Sequence, residues 1–94
     1  MSPLTAQSRP ALARGVRLRT DPINGEPVLL FPEGVLPLEA TTHAIVSRCT
    51  GKETLGGIVA SLAEEYEVDE ATLLNDVQEC LEELRKEMLV TVAP

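Results

Sequence analysis

Val28-Leu29-Leu30-Phe31-Pro32-Glu33-Gly34-Val35-Leu36-Pro37-Leu38-Glu39 is the stretch on which the reading of this chain depends. Two apolar runs of strand length flank Pro32-Glu33-Gly34, a turn sequence in which proline presets φ and glycine frees it. Beyond Glu39 the apolar period changes from two to about 3.6, the change from strand to helix. Pro37 adds a constraint. It has no amide donor, so a strand containing it belongs at a sheet edge or beside a bulge.

Upstream, Val16, Leu18 and Thr20 alternate with Arg17 and Arg19, which gives an earlier strand with its arginines on the wet face. Asp21-Pro22-Ile23-Asn24-Gly25 is turn chemistry joining it to the hairpin. Residues 1–13 contain Pro, Ser and Ala without a period and are expected to form a flexible arm, leaving the domain at 14–92. Downstream, a first helix is expected over 40–49, with Gly51 as a left-handed C-terminal cap. Thr54 caps a second helix whose stripe is Leu55, Ile58, Val59, Leu62 and Tyr66; Gly56 and Gly57 weaken its first turn and read as tolerated. Asp69 caps a third, with Val68 placed to staple onto Leu73. Leu73, Val77, Cys80, Leu84 and Met88 share one face of that helix, and Leu74, Gln78, Leu81 and Arg85 form a half-apolar stripe beside it. Residues 89–92 suit a short terminal strand. Three short antiparallel strands followed by three helices make an α+β, winged-helix-like fold.

Composition narrows the function. The 94 residues allow one small domain, and Phe31 and Tyr66 are the only aromatics, so base-stacking platforms are excluded. The net charge of −7 is uneven: residues 1–38 sum to +1, whereas residues 39–94 carry four basic and twelve acidic side chains. Phosphate binding runs on Lys and Arg, so a nucleic-acid partner is not expected. The acidic half serves either as a solvated surface that keeps the domain soluble or as a steering field for a protein partner. His43 is the only histidine, read as a surface helix residue, and Cys49 and Cys80 are the only thiols, isolated from one another in sequence. Neither metal-ligand spacing nor a nucleophile motif surrounds them, and no Walker or dinucleotide loop is present. Paired carboxylates for acid–base work are better explained as the wet face of helix three. The expectation is a non-enzyme without cofactor or metal. The first 14 residues are too interrupted for a signal peptide, and no apolar run spans a bilayer, so the cytoplasm is the expected location.

What remains is a binding surface. A third strand at a sheet edge offers backbone groups to which an extended peptide can add. The half-apolar stripe of helix three either flanks that edge as a groove or simply widens the core-facing side; patterning leaves both open.

Arg17-Leu18, Asp21-Pro22, Leu29-Leu30, Pro32-Glu33-Gly34-Val35, Leu38, Ala44-Ile45 and Cys49-x-Gly51 occur in an order and spacing that resembles the pyrroloquinoline quinone (PQQ) biosynthesis protein D family. Ile58-Val59, Leu62, Leu81, Leu84 and Leu89 continue the match, which covers about residues 14–90. The resemblance implies a recognition element for ribosomally made, modified peptides. Such a protein binds the PQQ precursor peptide, whose Glu and Tyr become the cofactor, and presents it to a radical S-adenosylmethionine enzyme. It also implies that the peptide adds to the third strand at Val35, Leu36, Pro37 and Leu38, opposite Leu74, Gln78, Leu81 and Arg85. Two departures stand out. Leu38-Glu39-Ala40-Thr41 replaces an expected Leu-Asn-Glu-Thr, losing an Asn cap, and Pro37 interrupts the docking strand.

The rival readings are a recognition element for another modified peptide, such as a lasso peptide, and a winged-helix transcription regulator. The regulator lacks its basic recognition helix, because Glu79, Glu82, Glu83 and Glu87 outnumber Arg85 and Lys86. An acyl-carrier domain fails for want of an Asp-Ser-Leu site, since Ala60 precedes Ser61. A monomer is expected in dilute solution, with a strand-swapped homodimer at high concentration, because the Pro32-Glu33-Gly34 hinge permits exchange of the hairpin.

Overall fold

The hairpin of the opening stretch forms as expected. In the computed structural model, which describes residues 4–93, β3 (Pro27–Phe31) pairs antiparallel with β4 (Gly34–Pro37), and β2 (Arg17–Thr20) pairs with the other side of β3. The strand order β2-β3-β4 leaves β4 at one edge, where a proline is tolerated. Local hydrogen bonds set the connecting turn: the Gly25 N–H donates to the Asp21 carbonyl at 2.8 Å, with Gly25 at φ 73°. Cross-strand partners share a face, so Leu18, Leu29 and Leu36 turn toward the core while Arg17, Leu30 and Val35 turn to water.

Three helices follow: α1 (Ala40–Val46), α2 (Leu55–Tyr66) and α3 (Glu70–Lys86). Glu39 makes no side-chain bond to the start of α1, as the missing Asn cap implied, and this helix is only seven residues long. Thr54 caps α2 by accepting from the Gly57 N–H at 3.1 Å, and Asp69 caps α3 by accepting from the Thr72 N–H at 3.0 Å. Leu29, Leu55, Ile58, Val77 and Leu81 are almost completely removed from solvent and form one aliphatic core with Val46 and Val59. Full burial of such side chains contributes about 1.5–3 kcal/mol each, which is how the domain manages with two aromatic rings. Tyr66 lies outside this core at 55% exposed, because α2 ends there and Glu67 turns the chain left-handed at φ 53°.

The N-terminal segment differs from expectation. Residues 9–12 do not belong to a flexible arm: β1 (Arg9–Leu12) pairs antiparallel with β5 (Val90–Ala93), forming a second, two-stranded sheet. Leu4 is 3% exposed and Pro10 is fully buried. The reason is topological, since β1 acquires its partner from the opposite end of the chain and no local pattern announces it. Ahead of β1, the carbonyls of Ser8 and Ala6 accept from the Leu55 and Gly56 N–H groups at 2.7 and 2.8 Å. They satisfy two of the donors that a helix start leaves unpaired. Gly56 is therefore a close-approach residue rather than a tolerated one: a Cβ there would meet the Ala6 carbonyl oxygen at 3.2 Å. Gly51 also has another role. At φ 83° its N–H donates to the Pro10 carbonyl, so it seals the outer edge of β1 instead of capping α1, whose C-cap is Ser47.

No described helix is long and apolar enough to cross a membrane.

Candidate functional site

The open edge of β4 borders a groove of about 330 Å³. Leu36, Pro37 and Leu38 form one wall, while Thr42 of α1 and Cys80 and Leu84 of α3 form the other. Glu39 and Glu83 sit at its rim. The walls come together here because α1 starts directly after β4 and its Thr42 side chain reaches Cys80 of α3. Cys80 is partly buried; desolvation pushes its thiol pKa up, and a hydrogen bond with the Thr42 side chain pulls the other way. Cys49 is more deeply buried, and desolvation together with nearby Cys80 pushes its thiol up to about 12. Both thiols are thereby kept protonated at neutral pH and pack as small apolar groups.

The structure divides the eight residues singled out from the sequence. Val35 is 57% exposed on β4, Leu36 is half-buried at the groove wall, and Pro37 is exposed. Leu38 closes the groove floor but is itself 6% exposed and part of the core. None of the four α3 residues lines this groove. Leu81 is wholly buried. Gln78 donates through Nε2 to the Leu4 carbonyl at 2.9 Å, so the N-terminal segment occupies that side of the helix. Leu74 lines a separate hollow with Ala6, Gly56 and Val59. Arg85 pairs with Glu82 at 3.2 Å and faces a hollow of about 730 Å³ beside Met88, Val90 and Val92.

The side of α3 that does face β4 is the neighbouring stripe, through Cys80, Glu83 and Leu84. Helical spacing identified both stripes but carried no signal for which one lines the groove, and Leu4 and Ala6 lie against Gln78 and Leu74 of the other. Among the described residues no group of His, Cys, Asp and Glu side chains could hold a metal ion. The arrangement offers backbone hydrogen-bonding groups, an aliphatic floor and an acidic rim, which suit an extended chain laid along β4.

Comparison with known proteins gives this geometry a family setting. The model of the family described as Coenzyme PQQ synthesis protein D (PqqD) matches residues 26–90. The PqqA binding protein of Xanthomonas axonopodis pv. citri (strain 306) is 38% identical over 90 residues, spanning 96% of this chain and 98% of that protein. The PqqA binding protein of Rhizobium meliloti (strain 1021) is 38% identical over 73 residues, 78% and 74% of the two chains. Among solved structures, the solution structure of the PqqD truncation of Methylobacterium extorquens PqqCD superposes with a TM-score of 0.80 at 30% identity, covering 94% of each chain. That protein is described as a functional, stand-alone recognition element for ribosomally synthesised and post-translationally modified peptides. The crystal structure of PqqD from Xanthomonas campestris is 34% identical with a TM-score of 0.55, covering 92% of this chain and 97% of that one.

Proposed function

Because this chain belongs to the coenzyme PQQ synthesis protein D family, we propose that it is the peptide chaperone of that pathway, binding the precursor peptide PqqA as an added strand on β4. The observation that carries this reading is the unpaired edge of β4 above an aliphatic groove. Strand addition supplies affinity through the backbone, while alternate side chains of the peptide enter the groove between Leu36 and Leu84. The role is one of binding and presentation, with the bound peptide passed to a radical S-adenosylmethionine enzyme in the cytoplasm. The acidic side chains along α3, from Asp76 to Glu83, oppose DNA docking on this winged-helix-like frame.

The contact set on α3 is revised to Thr42-facing Cys80 together with Glu83 and Leu84, in place of Leu74, Gln78, Leu81 and Arg85. Titration of the domain with synthetic PqqA peptide, followed by amide chemical shifts, tests this. Shifts concentrated at residues 35–38, 42, 80, 83 and 84 are expected. Shifts confined to β5 and the hollow at Arg85 and Met88 would move the site to the other sheet and overturn the reading.

A further inference from the structure

The hydrogen-bonding groups that β4 turns outward follow from its register. Val28 pairs with Pro37, Leu29 with Leu36, Leu30 with Val35 and Phe31 with Gly34. One pair further along, the Leu38 N–H donates to the Pro27 carbonyl at 3.0 Å. Antiparallel neighbours alternate between pairs that exchange backbone bonds and pairs that do not. The bonded pairs are therefore 27/38, 29/36 and 31/34, and the backbone groups of Val35 and Pro37 point to the open edge. The opposite strand agrees. The Asp21 N–H donates to the Glu26 carbonyl at 2.8 Å, which places Val28 and Leu30 in the bonded pairs of β2 and β3. Those two residues thus spend their groups on β2, away from β4.

Pro37 consequently costs the β3–β4 ladder nothing. Its missing donor is missing from the free edge. Along the strand itself, that edge presents two acceptors, the carbonyls of Val35 and Pro37, and a single donor, the Val35 N–H.

We propose that Pro37 makes β4 an asymmetric template for its peptide ligand: the ligand residues opposite Val35 and Pro37 must both carry an amide N–H, which excludes proline there, and only Val35 donates in return. This rests on the strand-addition reading given above. An antiparallel ligand exchanges two bonds with Val35 and donates one to Pro37, and its carbonyl at the second position stays solvated. The same feature discourages two copies of β4 from pairing edge to edge, because the self-pair would lack donors at both prolines. Val35 anchors the ligand through two bonds, and Pro37 accepts one from the ligand residue two places along.

Two substitutions separate the proposal from the reading beneath it. Pro37→Val restores an outward donor on an exposed position while keeping a good strand former. Val35→Pro removes the one donor without touching the bonded pairs of the hairpin. Calorimetric titration with synthetic PqqA peptide is run at concentrations where sedimentation shows each variant to be monomeric. Pro37→Val is expected to tighten binding about fivefold, the effect of one net hydrogen bond, and Val35→Pro to weaken it about tenfold. If Val35→Pro weakens binding while Pro37→Val leaves it unchanged or weaker, the peptide lies on β4 but does not read Pro37, and the proposal fails alone. If neither substitution changes affinity and β4 amides do not shift, both the proposal and the strand-addition reading fail. Should Val35→Pro lose its fold, shown by collapse of amide dispersion, Pro37→Val decides the proposal alone.

Discussion

The outer edges of β1 and β4 are opposites. Beyond its ladder with β5, β1 is closed: the carbonyl of Pro10 accepts from the Gly51 N–H at 2.9 Å, and the Leu12 N–H donates to the Cys49 carbonyl at 3.3 Å. Both edges contain a proline whose donor is not needed inside its sheet. At Pro10 the chain covers the remaining carbonyl with its own backbone, whereas at Pro37 it leaves the carbonyl free. The β1–β5 ribbon joins the N- and C-terminal segments and packs on α3 through β5, and its role is to hold. The β2–β3–β4 sheet is built from neighbours in sequence, turns one face to the core, and leaves the edge of β4 unpaired. Backbone pairing thus closes the outer edge of one sheet and leaves that of the other open.

Removing residues 1–13 breaks this comparison most severely. The truncation deletes β1, the buried Leu4 and Pro10, and the carbonyls of Ala6 and Ser8 that pair with the start of α2. Burial of two such side chains alone implies a loss on the order of 4 kcal/mol, enough to unfold much of a domain this small. Urea titration followed by circular dichroism checks it. An unchanged midpoint would return these residues to the status of an arm.

Peptide binding sharpens the comparison without any substitution. Hydrogen exchange at Val35 is expected to be fast in the free protein and slowed at least about tenfold by saturating PqqA peptide, since its N–H then enters a ladder. The Leu12 and Gly51 amides, already bonded across the closed edge, are expected to exchange at the same rate in both states. Equal protection at Val35 with and without peptide would show that β4 is not where the ligand adds.

These two regions also differ in how far the sequence revealed them. The β2–β3–β4 sheet was legible because its signals are local: Asn24-Gly25 and Pro32-Glu33-Gly34 mark turns, and Arg17 and Arg19 alternating with Val16 and Leu18 set the wet face. The capping residues Thr54 and Asp69 were legible for the same reason. β1 was not, because Arg9-Pro10-Ala11-Leu12 is too short to show a period and its partner begins at Val90. That one omission propagated to the site. Without Leu4 against Gln78, nothing in the spacing of α3 distinguishes the stripe through Leu74 and Gln78 from the stripe through Cys80 and Leu84. The resemblance pointed to the strand whose edge is open, and only the packing of the N-terminal segment shows which side of α3 is covered.

The C-terminal end of α3, which leads into the ribbon, gives a smaller and opposite effect. Met88 is 80% exposed and left-handed at φ 63°, and the Leu89 N–H donates back to the Leu84 carbonyl at 2.9 Å, the pattern of a helix stop that favours glycine. Met88→Gly relieves that backbone cost and removes no buried contact. A gain of about 0.5–1 kcal/mol in unfolding free energy is expected. A loss of stability would mean that the Met88 side chain packs against the hollow beside Val90 and Val92 more than its exposure indicates.

The smallest effect concerns the other end of the same helix. Asp69 is fully exposed, and its pKa is lowered from the ordinary 3.8 by hydrogen bonds from the backbone and then the side chain of Thr72. A folded-state pKa below the unfolded one means that the ionised cap stabilises the fold above the unfolded value, and that this contribution is lost as pH falls through the folded value. Asp69→Asn keeps a capping oxygen but removes the titration. Between about pH 5 and pH 2, the urea midpoint of the parent protein is therefore expected to fall more steeply than that of Asp69→Asn. Parallel curves would show that the Thr72 bonds do not distinguish the ionised cap from a neutral one. Because α3 supports the ribbon on one side and the groove on the other, loosening its first turn also tests whether the two regions share one cooperative unit. If they do, the Leu12 and Leu36 amides lose protection together as Asp69 protonates.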